Sequence, residues 1–522
     1  MPAPTRRAFL KQSIAVASSL AGLNARAASD SPVATTRHGQ VRGYRDNGIN
    51  VFKGVRYGAD TAPRRFMAPL PPQPWSGIRD ALEHGAASPQ TSREDATSED
   101  CLFLNVYTPG LNDGAKRPVM FYIHGGAYNN GSGSSPLYDG VRLCRRGDVV
   151  VVTVNHRLNA FGYLYLARFG GDHYADSGNA GQLDLILALQ WVRDNIAAFG
   201  GDPGNVTVFG QSGGGAKIAT LMAMPAAAGL FHRAATMSGQ QVTASGPLNA
   251  TLRTRAVLDA LKPRRVSDIR TIPYQRIVEV LGTSDPLLPF GSVSFAPVLD
   301  ERHLLRHPFY PDAPAQSAHI PMMIGNTHDE TRAFLGGDPA NFDLTWDQLP
   351  AHLAPELRVD ILPEAVIAQY RKLYPALTPS DLLFKITTAS RSWRGAIIEA
   401  EERAKAGSPA FVYQLDWATP KDGGRFGAPH ASDIQLVFDN IAKPGATAIG
   451  PEAQAMADMM SEAFIAFART GDPNVRLIPR WEPYGMTRRQ TMIFDVPPRL
   501  EDDPRGAERR IFAKVPYVQP GT

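Results

Sequence analysis

Two kinds of hydrophobic pattern alternate along this chain. Pro118-Val-Met-Phe-Tyr-Ile-His124 and Val149-Val-Val-Val-Thr-Val154 are short continuous apolar runs, the pattern of strands buried on both faces. A further strand is predicted from Val206, and others at Pro321–Ile324 and Phe411–Leu415. Between Gly181 and Ala198 the run Leu-Asp-Leu-Ile-Leu-Ala-Leu-Gln-Trp-Val reads as a helix. Met456–Ala468 is amphipathic at helical spacing and is stopped by Gly471-Asp-Pro473. Residues 33–57 alternate and turn at Asp46-Asn47-Gly48, a hairpin signal, and residues 63–74 are Pro-rich and irregular. Strands alternating with helices predict an α/β fold, with a mainly parallel central sheet, helices on both faces and an N-terminal antiparallel hairpin. There is no internal repeat, low-complexity tract or charge block, and the Gly/Pro-rich joints are short and scattered. One large domain over residues 28–522 is therefore expected.

One junction in this pattern carries chemistry. The strand at Val206 runs into Gly210-Gln211-Ser212-Gly213-Gly214, and residues 216–223 continue at helical spacing. G-x-S-x-G alone often occurs by chance, but between a strand and a helix it predicts a tight turn that exposes a serine hydroxyl. Such a turn crowds its neighbours, so glycines flank the serine, whose own backbone is strained. A nucleophilic Ser212 then needs a base, an acid to orient the base, and donors for an oxyanion.

Composition changes the picture in one respect. The 522 residues carry a formal net charge of +4, yet Arg6, Arg7, Lys11 and Arg26 fall in the first 27 residues, which hold no acid. Without them the chain is neutral, and nucleic acid loses its support as a partner. Those 27 residues have paired arginines, a mildly apolar run from Ile14 to Leu23, then Ala25-Arg26-Ala27. That order predicts a twin-arginine signal peptide, with the translocation machinery as a transient partner and a periplasmic or secreted product. The apolar run is too short to span a bilayer and no other apolar run is long enough to do so, so no transmembrane segment is expected. Cys101 and Cys144 are the only cysteines and are expected to be unpaired. The histidines and cysteines show no zinc spacing, and neither a metal nor an organic cofactor is expected.

Ile123-His124-Gly125-Gly126-Ala127-Tyr128 ends a buried strand in a glycine pair, a turn able to aim successive N–H groups at one point. The oxyanion hole is assigned to the amides of Gly126, Ala127 and Gly213. The expected order downstream of the serine is acid, then histidine. Among the later histidines, His303 and His307 lie in a charged stretch predicted helical and solvated, and His352 in a Pro-flanked loop. His430 follows Phe426-Gly-Ala-Pro429, a loop after the strand at Phe411, and is the favoured base. Gly325-Asn-Thr-His-Asp-Glu330 follows the strand at Pro321 and offers Asp329 and Glu330, which composition does not separate.

The chain resembles the type-B carboxylesterases, the carboxylesterase and cholinesterase family of the α/β-hydrolase fold, including the bacterial para-nitrobenzyl esterases. The shared motifs cover nearly all of it beyond the signal. They include Phe52-Lys-Gly-Val-Arg-Tyr57, Ser98-Glu-Asp-Cys-Leu-Phe-Leu-Asn-Val-Tyr-Thr-Pro109, the His124 turn, Asn155-His-Arg-Leu-Asn-Ala-Phe-Gly162, Gly178-Asn-Ala-Gly-Gln-Leu-Asp184, the serine turn, Gly325–Glu330 and Pro429-His430. The resemblance implies Ser212 as nucleophile, His430 as base and Glu330 rather than Asp329 as the orienting acid, in a cofactor-free hydrolase of small-molecule esters. Departures bear on specificity. The family's usual glutamate before the nucleophile is the neutral Gln211, which disfavours selection for a cationic ester; Gly213 replaces an alanine; and the usual partner of Cys101 is Ser88. Asp433 and Ser238 are candidates to brace the base loop, while His328 reads as a surface residue. An amidase, carbamate hydrolase or thioesterase would use the same triad, and a non-catalytic surface-binding protein of this fold is the more distant alternative. Retention of Ser212, Glu330 and His430 argues against the last.

Overall fold

The computed structural model describes residues 31–288, 291–519 and 521–522. The predicted signal at residues 1–27 lies outside them. Six strands come first: β1 (Val33–Thr36), β2 (Gly39–Arg42), β3 (Tyr44–Asp46), β4 (Ile49–Arg56), β5 (Ile78–Asp80) and β6 (Phe103–Thr108). Then follow β7 (Arg117–Ile123), β8 (Val150–Val154), β9 (Gly201–Gln211), β10 (Arg233–Met237), β11 (Met322–Thr327) and β12 (Ala410–Leu415). The last two are β13 (Gln490–Phe494) and β14 (Arg499–Asp502). Among the described residues, β1, β2 and β5 form a small sheet and the rest an 11-stranded one, in the order β14-β13-β12-β11-β10-β9-β7-β8-β6-β4-β3. Its middle, from β8 through β7 and β9 to β13, is parallel, and β3, β4, β6 and β14 are antiparallel at the flanks. The hairpin lies where expected: Asn47 and Gly48, with φ of 50° and 85°, join β3 to β4. Positive φ at both positions suits the right-handed twist of the strands.

The parallel strands are buried on both faces because successive side chains feed two different cores. In β7, Val119, Phe121 and Ile123 join one cluster while Met120 and Tyr122 join the other. β9 divides in the same way, with Val206 and Val208 on one side and Phe209 on the other. Of six helices that cover the sheet, α1 (Val141–Gly147), α2 (Ala180–Asn195) and α3 (Gly213–Leu221) precede α4 (Arg394–Lys405), α5 (Ser432–Val437) and α6 (Ala453–Thr470). Apolar residues of α2, α3 and α4 pack into the first cluster, and those of α1, α5 and α6 into the second. Each fully buried Val or Phe contributes roughly 1.5–3 kcal/mol, so the alternation stabilises both layers at once. Gly471, at φ 83°, ends α6 in the left-handed conformation that glycine adopts without strain.

Three local expectations are corrected. His303 and His307 are in irregular chain and only partly exposed: His303 Nε2 lies 2.7 Å from Asp176 Oδ1, and His307 Nδ1 accepts from Ala244 N at 3.0 Å. Prolines at 308 and 311 and the side-chain bonds of Asp300 to three following amides favour turns there over a helix. His352 sits in a short helix, Leu349–Leu353, because Pro350 occupies the first turn, where its missing N–H costs nothing. Cys101 and Cys144 are free and buried, as expected.

Candidate active site

The central parallel strands end on one edge of the sheet, and the candidate residues follow those ends. Ser212 comes directly after β9 and just before α3, with φ 55° and ψ −124°. This conformation is costly for a residue with a Cβ, and its surroundings over-determine it. The Ser212 N–H donates to Met237 O at 2.7 Å. A Cβ at Gly210 would come within 2.6 Å of Ile123 O, and one at Gly214 within 1.9 Å of the same oxygen. The glycines are therefore needed because β7 and α3 press on the turn from both sides.

The turn after β7 leans on this elbow. Gly126 and Ala127 have φ of 85° and 51°, and a Cβ at Gly213 would lie 2.1 Å from Ala127 O. Among the described residues, the N–H groups of Gly126, Ala127 and Gly213 donate to no protein acceptor. Ala127 and Gly213 thus meet back to back with their amides uncommitted. Beneath them lies a residue that the sequence reading passed over as part of an apolar helix. Lys217, on α3 and fully buried, donates from Nζ to Ala127 O at 2.8 Å and to His124 O at 3.3 Å. Burial lowers its pKa to about 7. His124 stacks on His156 with ring centroids 4.8 Å apart, and burial, aided by the Lys217 charge, holds both imidazoles neutral at pH 7.

His430, on the loop after β12, and Glu330, three residues past β11, are brought together. His430 Nδ1 is hydrogen-bonded to Glu330 Oε2, and the glutamate is completely buried. Its other oxygen accepts from Thr327 N at 2.9 Å and Asn326 Nδ2 at 3.3 Å. Burial alone would raise the pKa of Glu330, but His430, Ser238 and the Thr327 amide outweigh it and hold it below the ordinary value. Asp329 points elsewhere. Its N–H donates to Ala428 O at 2.9 Å, and its Oδ2 accepts from Ala428 N at 3.1 Å. The geometry thus separates two acids that composition left equal: one faces the imidazole and the other pins the loop that carries it.

Ser212 and His430 line the same cavity, but no hydrogen bond joins them. The His430 Nε2 instead meets Gln211 Nε2 at 3.0 Å. With Nδ1–H directed at a carboxylate, Nε2 is the acceptor and the amide donates to it. This contact was not foreseen, because the sequence reading treated Gln211 only as a missing charge. Asp433 is buried and accepts from Tyr413 OH at 2.9 Å rather than touching His430; burial raises its pKa to about 6. Ser238, adjoining the elbow, helps to hold Glu330 ionised without reaching full hydrogen-bond geometry. His328 is partly exposed beside Asp329, at 3.1 Å. No helix among the described residues is long and apolar enough to cross a membrane.

Comparison with known proteins places the chain in a family. The Carboxylesterase family model matches residues 30–512. The para-nitrobenzyl esterase of Bacillus subtilis (strain 168) is 34% identical over 502 residues, covering 92% of this chain and 98% of that protein. The phenmedipham hydrolase of Pseudarthrobacter oxydans is 32% identical, over 87% of this chain and 93% of its own. Among solved structures, a carboxylesterase of Geobacillus stearothermophilus superimposes with a TM-score of 0.82 at 37% identity, covering 92% of this chain and 99% of that one. The chain belongs to the carboxylesterase family: it has the α/β-hydrolase fold and is an ester-hydrolysing serine enzyme.

Proposed function

We propose that Ser212, His430 and Glu330 form the catalytic triad of a carboxylesterase that works through an acyl-enzyme. The observation that carries this reading is the hydrogen bond from His430, which lines the same cavity as the strained Ser212, to the fully buried carboxylate of Glu330. Glu330 fixes the imidazole with its proton on Nδ1 and stabilises the cation formed when Nε2 takes the serine proton. Ser212 Oγ then attacks the ester carbonyl, and the amides of Gly126, Ala127 and Gly213 bind the oxyanion. One such donor is worth about 3 kcal/mol of barrier. The alcohol departs with the proton from His430, and water repeats the sequence on the acyl group.

Gln211 bears on the first step. While its amide donates to Nε2, that lone pair is not free for the serine proton, so attack requires the amide to turn aside. A half-turn of the same amide presents its oxygen to the Nε2–H of the charged imidazole, so one side chain suits both protonation states.

Turnover of p-nitrophenyl butyrate by the wild type, with a fall of roughly 10⁴ or more in Ser212→Ala, is the expected result. An inert wild type would refute the assignment. We further propose that residues 1–27 direct twin-arginine export to the periplasm or medium. N-terminal sequencing of the exported protein should find a start at or next to Ala28, and a start at Met1 would overturn the proposal.

A further inference from the structure

The wall of the cavity beyond the base has an unusual charge. Arg391 is the one Arg, Lys, Asp or Glu among the described residues that line it. Its place is fixed by stacking: the Phe334 ring lies 4.8 Å from the His430 ring, and the Arg391 guanidinium lies 4.6 Å from the same Phe334 ring. The cation is thus one aromatic ring away from the catalytic imidazole. Arg391 belongs to a π-helical turn, Ala389–Trp393, leading into α4, an irregularity often found at functional sites.

The surroundings leave this charge under-compensated. Its nearest carboxylate is Glu356 Oε2, at 3.8 Å and partly exposed. Arg358 and Arg394 lie close enough for the three guanidinium groups to act together on Tyr517. Buried Glu399, on the same side, has its pKa raised to about 8 by desolvation and is mostly uncharged at pH 7. Glu401, beside Arg394, is already held by Arg489 at 3.2 Å. A second feature points the same way. Gln240 lines the cavity with only 8% of its surface exposed, and its Nε2 is buried without a hydrogen-bond partner. A buried donor without a partner is destabilising, so a ligand oxygen that reaches it is favoured.

We infer that this site selects esters bearing a carboxylate remote from the scissile bond, such as half-esters of dicarboxylic acids, with Arg391 and Gln240 binding the free carboxylate. The inference rests on the esterase reading above. A guanidinium binds a carboxylate through two parallel hydrogen bonds, and a site built for such a group discriminates against an isostere lacking it.

The test is a series of monoethyl half-esters from succinate to suberate, each paired with a neutral ethyl ester of matched length, followed by pH-stat titration. Wild type should favour one half-ester over its neutral match by roughly tenfold or more in kcat/KM. Arg391→Met should cut that ratio by roughly 10- to 100-fold, and Arg391→Lys should restore part of it. Salt should lower the half-ester rate more than the neutral one. Neutral esters turned over with no preferred half-ester would overturn this inference and leave the esterase reading intact. A ratio unmoved by Arg391→Met would do the same. Failure to hydrolyse any ester would overturn both.

Discussion

A single stretch, residues 206–221, holds the serine, its strained backbone, the crowding glycines and the helix that begins beside them. The wall across the cavity takes single residues from distant parts of the chain, among them Gln240, Phe334, Arg391 and Tyr517. The elbow is made of backbone: its contacts are with the Ile123 and Ala127 oxygens, and its geometry is over-determined. The wall is made of side chains, some with unmet hydrogen bonds. On the proposed mechanism, bond-breaking falls to the part that cannot adjust, and choice of substrate to the part that can vary residue by residue.

The strongest way to break that comparison is to disturb the acid. Glu330→Gln should lower kcat by roughly 10⁴, because the amide orients the imidazole without stabilising its cation. Asp329→Asn should cost less than about tenfold, since its main contacts are to the loop backbone. Equal losses in the two variants, measured as kcat on one ester, would show that the neighbours are not distinguished as described. Next in size is the elbow itself. A Cβ at position 214 would meet a carbonyl oxygen at 1.9 Å, so Gly214→Ala should displace Ser212 and lower kcat about a hundredfold. Urea denaturation should also show a loss of about 1–3 kcal/mol.

Gln211→Glu sharpens the contrast by changing charge where shape is kept. A carboxylate at the 3.0 Å position stabilises the imidazolium, so the base loses its proton only at higher pH. The acid limb of the kcat/KM profile should move up by about one unit; an unmoved or lowered limb would remove Gln211 from contact with the base.

The smallest effect concerns Lys217. Its pKa is about 7 when folded, against an ordinary lysine value of 10.5. Between those values the unfolded chain binds a proton that the native state does not, so this residue's contribution to stability rises with pH across the window and is flat below it. Stability of the wild type relative to Lys217→Met should climb from pH 7 to pH 10. A flat difference would mean that the ammonium is stable under the turn, held by the Ala127 and His124 carbonyls.

The same contrast explains what was legible in the sequence. The elbow and the glycine turn were readable because backbone crowding imposes glycine at fixed offsets, within a dozen residues. β7, β8 and β12 were readable because burial on both faces leaves unbroken apolar runs. β10 was passed over, since Arg-Ala-Ala-Thr-Met carries weak strand propensity and is held by its parallel neighbours β9 and β11. Choosing Glu330 over Asp329 required the family resemblance, and only the fold gives a physical reason for it. The Gln211–His430 contact spans 219 positions and the Lys217–Ala127 contact 90, separations over which no local pattern reports. Arg391 was hidden for the same reason.

The most direct test of the central assignment is to trap the intermediate. Wild type is mixed with a fluorophosphonate or a slowly deacylated p-nitrophenyl ester, digested, and analysed by mass spectrometry. The account predicts one adduct per chain, on the peptide containing Ser212, absent from Ser212→Ala and formed roughly 10⁴-fold more slowly in Glu330→Gln. An adduct on another residue, or undiminished ester hydrolysis by Ser212→Ala, would contradict it.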